Sequence, residues 1–412
     1  MPRPGFGLDN LPFGVAGIPG AVSPHIVVAF EDGAIDLVVL HARGLLECVA
    51  DPAVLSSTSL NRFMSQGPDL GRTVRHRVRD LLIDEAALPT DAVVPRQDLT
   101  LLLPIEVGDF VDGYGGLYHA TNLGRIVRPD GPPLLNNWRE MPVSYHGRSS
   151  SVVPSGTPII RPWGQCLTES GPKLMPTEHL DIELEVGSIV GVGSSLGQSI
   201  AVDDAGDHLF GLVLLNDWSA RDIQTFEYQP LGPFLAKSFA TSISHWVVPL
   251  DALEPFLTGG LSAGADPAPA PYLRSARPWV PDLRLEVRLQ TPTMAAVGQQ
   301  AVVISEVAFA EAMYWSMAQQ LAHATINGAA TRPGDLFGSG TASGADPKHA
   351  GGSFMELSWG GAEPIELPNG ERRRFLEDGD TVILRAWCGG SRELPTIDFG
   401  DVSGTIVPAR TA

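Results

Sequence analysis

The sequence predicts a mainly β fold with some α structure, arranged as a small N-terminal α+β domain over residues 1–100 and a large C-terminal domain over residues 101–412. The 45 glycines and 35 prolines among 412 residues are typical of a chain with many turns between short strands. Hydrophobic residues make up 43% of the chain and charged residues 18%, which is enough apolar material for a sizeable core. The pattern also changes near residue 100, where helical and linker segments give way to short apolar runs.

A hairpin and a helical segment are predicted in the N-terminal domain. An apolar run over residues 26–30 is followed by the turn Glu31-Asp32-Gly33 and a second run over residues 34–40, which predicts a β-hairpin. Two prolines within residues 89–96 predict the linker that ends this domain. Residues 52–90 favour helices, because apolar side chains recur at helical spacing at Val74, Val78, Leu81 and Leu82.

Short strands and one helix are predicted in the C-terminal domain. The helix is predicted to begin at a cap formed by Ser305-Glu306 and to stop at Asn327-Gly328, since the apolar residues between them recur at helical spacing. The strand candidates are apolar runs bounded by Gly, Pro or Asn, over residues 180–187, 208–215, 244–250, 283–289 and 381–387.

The charge of the chain narrows the classes of partner. With 28 Lys and Arg against 47 Asp and Glu, the formal net charge is −19, which argues against nucleic acid or an anionic membrane surface as a binding partner and suits metal cations.

The cysteines and the apolar runs bear on the cellular compartment. Three cysteines at unrelated spacings fit a reducing compartment better than a disulfide framework or a zinc site. Apolar runs such as residues 209–215 are far shorter than the ~20 residues of a spanning helix, and the N-terminus lacks the apolar stretch of a signal peptide. We therefore expect a cytoplasmic protein.

Three acidic residues alternate with apolar residues in the run Leu180–Val186. Because side chains alternate between the two faces of a strand, Asp181, Glu183 and Glu185 share one face. Two interpretations remain open. The run is either an amphipathic surface strand with its acids in water, or part of a site for a hard divalent cation that relieves the repulsion between crowded carboxylates.

A second polar cluster follows a nearly continuous apolar strand. The run over residues 208–215 stops at Asn216-Asp217-Trp218-Ser219-Ala220-Arg221-Asp222, which places the cluster at a sheet edge or at the mouth of a cavity. This cluster is either a simple turn, or a place where Asp217 completes a cation site and Arg221 reaches into a pocket.

Residues 108–122 bring a histidine close in sequence to two acids and two tyrosines. A lone histidine is more often structural, but near a carboxylate His119 becomes a candidate general base. The glycine-rich segment 338–344 lacks the lysine of a phosphate loop, and could instead offer backbone N–H groups and the Thr341 hydroxyl to a carboxylate.

Taken together, these segments resemble the fumarylacetoacetate hydrolase family over nearly the whole chain. The stretch Asp217–Asp222 is found across the wider family, whereas His119–Asn122 and Tyr145–Arg148 are more particular to its long, two-domain members. The resemblance implies a small N-terminal SH3-like barrel domain, a large C-terminal mixed β-roll domain and a homodimer. The other matching segments are Asn10–Val15, Asp112–Tyr114, Asp181–Glu185, Tyr228–Leu235, Arg332–Leu336, Ser339–Thr341 and Glu356–Trp359.

The resemblance also implies a divalent cation held by carboxylates. An all-carboxylate ligand set suits Mg²⁺ or Ca²⁺ rather than zinc. The implied ligands are Asp112, Glu183, Glu185 and Asp217, with Lys237 and Thr241 at positions near the metal.

The reaction implied by the resemblance is the metal-dependent hydrolysis of a carbon–carbon bond in a small diketo acid, fumarylacetoacetate. It releases fumarate and acetoacetate in the last step of tyrosine and phenylalanine catabolism. By resemblance, Glu356 orients His119, which activates the water as general base. Arg221, Gln224 and Lys237 would stabilise the tetrahedral oxyanion. The positions that match substrate-binding residues are Tyr114, Arg128, Tyr145, Gln224, Tyr228 and Thr341.

The sequence departs from the family pattern beside the histidine. Gly113 stands where the family usually has an aromatic residue, and Leu117-Tyr118 replaces a polar pair. We expect both changes at the pocket wall, where they bear on substrate preference.

The alternative functions are an acylpyruvate hydrolase or oxaloacetate decarboxylase of the same family, and a non-catalytic, metal-stabilised binding protein. Retention of both His119 and Glu356 argues against the last.

Overall fold

The computed structural model describes residues 5–84, 86–390 and 394–411. Three larger β-sheets and several two-stranded ribbons organise these residues, in agreement with the predicted mainly β class. No helix in the described ranges is both long and apolar enough to cross a membrane. The three cysteines, one exposed and two buried, are all free thiols.

The N-terminal residues form a five-stranded sheet with helices. The strands are β1 (Phe13–Gly17), β2 (His25–Phe30), β3 (Gly33–Asp36), β4 (Val93–Pro95) and β5 (Thr100–Leu101), and the helices are α1 (Leu37–Ala42), α2 (Asn61–Met64) and α3 (Pro68–Ile83). The strands pair antiparallel in the order β4-β3-β2-β1-β5. The predicted hairpin is present, but its second strand ends at Asp36, because the Asp36 carboxylate accepts the backbone N–H of Val38 and caps α1.

Short strands dominate the remainder of the chain. They are β6 (Phe110–Gly113), β7 (Ser144–Gly147), β8 (Val152–Pro154), β9 (Ile159–Ile160), β10 (Trp163–Thr168), β11 (Gly171–Pro176), β12 (Leu180–Asp181), β13 (Leu184–Val190), β14 (Leu209–Asp217), β15 (Ser219–Ala220), β16 (Thr241–Ile243), β17 (Val248–Pro249), β18 (Leu257–Thr258), β19 (Val280–Pro281), β20 (Arg284–Gln290), β21 (Val302–Ala308), β22 (Leu336–Gly338), β23 (Ile365–Glu366), β24 (Arg372–Arg373), β25 (Thr381–Cys388) and β26 (Ile397–Val407).

The helices between these strands are short. They are α4 (Leu117–Val127), α5 (Ala205–His208), α6 (Arg221–Glu227), α7 (Leu250–Leu253), α8 (Pro292–Ala296), α9 (Phe309–Ala312), α10 (Met317–Thr325), α11 (Pro347–Ala350) and α12 (Phe354–Leu357). Short 3-10 helices span Pro52–Val54, Thr90–Ala92, Arg96–Asp98, Ser149–Ser151, Val202–Asp204, Glu254–Phe256, Leu261–Gly264 and Pro271–Leu273.

Two mixed sheets enclose the main core of the C-terminal part. The larger runs in the order β7-β6-β22-β13-β14-β16-β8, with β17 also paired to β14, and the smaller in the order β21-β20-β25-β26-β9. The β22–β6, β16–β8 and β26–β9 pairs are parallel. Val186 and Leu214 of the larger sheet belong to one buried cluster with Val287 and Leu384 of the smaller, so the core lies between the two sheets.

The face of the larger sheet that points away from this core packs against the N-terminal residues and carries acidic side chains at one end. Val213 and Leu215 of β14 belong to a buried cluster with Phe63 of α2. Asp217 continues the same face of β14, because alternate residues of a strand share a face. The apolar part of this face therefore anchors the N-terminal residues, and its end presents carboxylates. The predicted boundary between residues 100 and 101 stays a prediction.

The predicted helix over residues 305–328 is partly wrong. Ser305 pairs with Val287 between β21 and β20, and β21 continues for three more residues to Ala308, so no helix begins at Ser305. A capping box of Ser316 and Gln319 begins α10 instead.

Candidate active site

Three buried carboxylates converge from separate strand ends. Asp112 lies near the end of β6, Asp217 ends β14, and Glu183 lies in the interruption between β12 and β13. One oxygen of each lies within 4.8 Å of the others. The order of the strands explains why these carboxylates lie close together, because only β22 and β13 separate β6 from β14 in the sheet.

The alternating acids share one face, but that face is covered. Asp181, Glu183 and Glu185 are each at most 6% exposed, so the interpretation as a solvated surface strand is wrong. Glu185 lies beside the three grouped carboxylates, and its Oε2 accepts the backbone N–H of Gly340 at 3.0 Å.

A lysine balances part of this negative charge. Lys237 Nζ donates to Glu183 Oε2 at 2.5 Å and to Asp217 Oδ2 at 2.7 Å, while Thr241 Oγ1 donates to Asp217 Oδ1 at 2.7 Å. Burial alone would lower the pKa of Lys237, but the two carboxylates raise it above its usual value, so the side chain stays an ammonium. An ammonium has no lone pair, and Lys237 is therefore a counter-charge rather than a metal ligand.

The donors of the carboxylate group fit a hard divalent cation. Burial and the Asp217 charge raise the pKa of Asp112 well above its usual value, and burial and Asp112 do the same to the pKa of Glu185. The Tyr145 hydroxyl donates to Asp112 Oδ2, whereas Asp112 Oδ1 and Glu185 Oε1 are buried with no hydrogen-bond partner among the described residues. Crowded carboxylates with unused oxygens are hard donors, and the grouping of Asp112, Glu183 and Asp217 is one that could hold a metal ion.

A histidine–carboxylate pair lies beside this group. His119 Nδ1 on α4 lies 2.7 Å from Glu356 Oε2 on α12, and His119 Nε2 lies 3.8 Å from Glu183 Oε1. Burial would raise the pKa of Glu356, but His119 and the hydrogen bonds to the carboxylate lower it. An ionised carboxylate only accepts, so Nδ1 donates to Glu356, and Nε2 is the nitrogen that faces Glu183. Three further donors hold Glu356: Asn122 Nδ2 at 3.0 Å, Ser343 Oγ at 2.7 Å and Ser353 Oγ at 3.0 Å.

A buried guanidinium completes the centre. Arg221 Nε donates to Asp181 Oδ2 at 2.8 Å, and Nη1 lies 2.8 Å from Glu183 Oε1 and 3.0 Å from Gln224 Oε1. Burial would lower the pKa of Arg221, but Asp181 and Glu183 raise it. Arg221 Nη2 is buried without a hydrogen-bond partner in the described part of the chain, so it is available to a bound oxygen.

The other predicted substrate residues are only partly gathered here. Tyr114 stands edge-on to His119 with ring centroids 5.9 Å apart. Thr341 is buried, and its hydroxyl has no partner within the ranges that the structure describes. Two residues make their hydrogen bonds outside the carboxylate group: Arg128 Nη2 donates to Pro133 O at 3.1 Å, and Tyr228 accepts from Gln229 Nε2 at 3.2 Å.

Two glycine-rich segments, residues 113–116 and 338–341, pack backbone to backbone. A Cβ on Gly113 would lie 2.5 Å from the carbonyl oxygen of Gly338 and 3.2 Å from Gln320 Nε2. Gly113 therefore faces this packing contact, and its effect on the pocket wall stays a prediction. The three residues that hold Glu356 were not predicted from the sequence, although Asn122 lies three residues after His119 on the same helix, which was an available signal.

Comparisons with known proteins give the family. A family model described as fumarylacetoacetate (FAA) hydrolase C-terminal matches residues 110–407, and one described as fumarylacetoacetase N-terminal matches residues 9–104. Relatives named fumarylacetoacetase are similar over 98% of this chain. The protein of Homo sapiens is 43% identical over 96% of its length, that of Dictyostelium discoideum 42% over 96%, and that of Oryza sativa subsp. japonica 41% over 95%.

Solved structures agree on the fold. The fumarylacetoacetate hydrolase of Exiguobacterium antarcticum superposes with a TM-score of 0.52 at 16% identity, covering 97% of this chain and 100% of that one. A putative HpcE protein from Mycobacterium smegmatis superposes with a TM-score of 0.53 at 19% identity, covering 96% and 99%. Since the C-terminal family model matches well over half of the residues and the relatives exceed 40% identity over nearly all of them, the chain belongs to the fumarylacetoacetate hydrolase family.

Proposed function

We propose that the protein hydrolyses the carbon–carbon bond of fumarylacetoacetate to give fumarate and acetoacetate, as the last step of tyrosine and phenylalanine catabolism. The observation that carries this proposal is the His119–Glu356 pair, which turns Nε2 of the imidazole toward the carboxylate group. Relatives at 41% to 43% identity that are named fumarylacetoacetase support the choice of substrate.

The first step is the attack of water on the carbonyl carbon next to the double bond. His119 Nε2 takes a proton from the water while Nδ1 stays bonded to Glu356, whose negative charge stabilises the imidazolium that forms. The product of the attack is a tetrahedral oxyanion. Arg221 Nη2 and the amide N–H₂ of Gln224 are the donors available to it, because Gln224 Oε1 is already taken by Arg221.

The second step breaks the bond between the former carbonyl carbon and the neighbouring methylene carbon. The oxyanion reforms a carbonyl group, which leaves in fumarate, and the bonding electron pair passes to acetoacetate as its enolate. His119 Nε2 returns the proton to the methylene carbon, so the imidazole ends neutral. The Lys237 ammonium, held at 2.5 Å and 2.7 Å by Glu183 and Asp217, adds positive charge where the oxyanions develop.

A Mg²⁺ or Ca²⁺ ion at Asp112, Glu183 and Asp217, with Glu185 beside them, supplies when bound a Lewis-acid charge that stabilises negative oxygen atoms of the substrate. The substrate itself carries two carboxylates. Arg128 and Thr341 suit these anions, because Arg128 Nε and Thr341 Oγ1 are buried atoms without partners among the residues described. We assign Tyr114, Tyr145 and Tyr228 to substrate positioning.

An absorbance assay tests this function. The purified protein is stripped with a chelator and given fumarylacetoacetate with and without Mg²⁺, while the ultraviolet absorbance of the conjugated diketone is followed. We expect metal-dependent decay that yields fumarate and acetoacetate. Absence of decay, with turnover of an acylpyruvate or of oxaloacetate measured in parallel, would transfer the assignment to those reactions. Failure of all three substrates would favour a binding role.

We also infer a cytoplasmic homodimer. Four large apolar side chains on β10, β11 and the segment after α6 are exposed: Leu167 at 69%, Leu174 at 58%, Leu231 at 94% and Phe234 at 65%. β10 pairs with β11 and packs against α6, and apolar side chains exposed together on neighbouring segments are typical of protein–protein contacts. Light scattering should give twice the 43.8 kDa chain mass, falling to one chain mass in the double variant Leu231→Asp, Phe234→Asp. A monomeric wild-type protein would refute the dimer.

A further inference from the structure

Asp181 is the one acid of the alternating strand to which the proposed reaction gives no role. It is fully buried, at 0% exposure. Its Oδ2 accepts Arg221 Nε at 2.8 Å and the backbone N–H of Met355 at 3.0 Å. Its Oδ1 accepts the backbone N–H of Ile182 at 2.7 Å and that of Phe354 at 2.5 Å. Four donors thus use the whole accepting capacity of one carboxylate.

Two of these donors begin the helix that carries Glu356. Phe354 and Met355 are the first residues of α12, and the N–H groups of a first helical turn have no partner inside the helix. A helix of only four residues gains little stability from its own hydrogen bonds. The position of Glu356 therefore depends in part on what holds this turn, and Asp181 and the Ser353 cap accept the N–H groups of its first three residues.

We propose that Asp181 is a positioning residue that fixes the oxyanion-binding Arg221 and the His119-orienting Glu356 relative to each other. Arg221 lies on α6 and Glu356 on α12, and the described hydrogen bonds include none between them. The Asp181 carboxylate connects the two helices, so the Arg221 guanidinium and the Glu356 carboxylate keep a fixed position relative to each other. This inference rests on the proposed function, since it assigns a purpose to the positions of Arg221 and His119.

The first test replaces one accepting oxygen of Asp181 with a donor. In Asp181→Asn the amide nitrogen must face two of the four N–H groups, which displaces them. We expect kcat to fall about 100-fold, as for a misplacement of about 1 Å at a reacting centre, with KM within about threefold of the wild-type value. A merely structural role would lower the thermal unfolding midpoint and leave the kcat of the folded fraction unchanged.

Asp380→Asn is the matched control. Asp380 is also 0% exposed and pairs with a buried arginine, Arg373, at 2.8 Å and 3.0 Å, but its described partners lie outside the candidate active site. We expect this variant to lose stability and keep its kcat. If the two variants have the same kcat, the proposal is overturned.

A second measurement needs no substrate. Hydrogen exchange followed by mass spectrometry should find the amides of Phe354 and Met355 protected in the wild-type protein and exposed in Asp181→Asn. Exchange of the wild-type amides at the rate of an open loop would overturn the proposal even if the variant fails to fold. If the wild-type protein does not hydrolyse fumarylacetoacetate, the proposed function fails, and this exchange measurement alone decides on the role of Asp181.

Discussion

His119 Nδ1 lies 2.7 Å from Glu356 Oε2, although the two residues are 237 positions apart in the sequence. The contact joins α4 to α12 and is fully buried. It fixes both the orientation of the imidazole and the nitrogen that carries the proton, and so decides which atom faces the carboxylate group.

Removal of the imidazole should strongly reduce turnover without weakening metal binding. We expect His119→Ala to lower kcat by about 10²- to 10⁴-fold, the usual contribution of a general base. Calorimetry should give a Mg²⁺ affinity close to that of the wild-type protein. His349→Ala, at an exposed histidine, is the control and should keep its activity. Unchanged turnover in His119→Ala would exclude it as the base.

Neutralising the orienting carboxylate should cost nearly as much as losing the base. In Glu356→Gln the amide cannot accept from all of the donors that surround it, and it favours the wrong tautomer of His119. We expect a loss of kcat of about 10⁴-fold with little change in KM, by analogy with the Asp→Asn change in a Ser-His-Asp triad. Steady-state kinetics beside Glu363→Gln, an exposed acid, is the measurement. Equal kcat in the two variants would contradict the pairing.

Divalent cations should stabilise the folded protein through Asp112, Glu183 and Asp217. At a Mg²⁺ concentration 100 times the dissociation constant, binding adds about 2.7 kcal/mol to the free energy of unfolding. We expect thermal unfolding of the chelator-stripped protein to shift upward on adding Mg²⁺ or Ca²⁺. The shift should vanish in Glu183→Ala and persist in Glu178→Ala, which removes an exposed acid nearby. A normal shift in Glu183→Ala would remove Glu183 from the ligand set.

A side chain at Gly113 should weaken the fold rather than alter substrate choice. The added Cβ would lie 2.5 Å from the backbone oxygen of Gly338, and overpacking of this kind costs about 1–3 kcal/mol of unfolding free energy. Urea denaturation of Gly113→Ala measures the cost. Gly264→Ala is the control, because its Cβ would meet no described atom within 4 Å. A stable Gly113→Ala protein with a changed ratio of substrate turnover rates would instead support the pocket-wall interpretation.

The sequence predicted local features better than tertiary ones. Strict alternation placed Glu183 and Glu185 on one strand face, because the period of two is a local property of the strand. It could not tell that this face is covered, since the cover comes from segments such as the one holding Gly340, far along the chain. The helix cap was misplaced for a related reason: the pairing that holds Ser305 in β21 involves another strand.

Asn122, one of the residues that support Glu356, was missed because its partner is distant in the sequence. Asn122 is 234 positions from Glu356, and no spacing rule connects them. The assignment of His119 and Glu356 as a pair came from family resemblance, whereas the pattern alone offered His119 only as a candidate. Resemblance also selected Asp112 from several acids, and the roles given to these residues stay predictions until they are measured.

The apolar residues on the face of the larger sheet that packs against the N-terminal residues have a consequence for expressing the C-terminal part alone. Val213, Leu215 and Ile243 of that face share a buried cluster with N-terminal residues such as Phe63. A polypeptide begun after residue 104 would carry this hydrophobic strip into water, and exposed strips of this kind favour aggregation. The N-terminal residues thus cover this strip and keep the remainder of the chain soluble. We expect residues 105–412 to be recovered from cells in soluble form only when the N-terminal residues are produced with them.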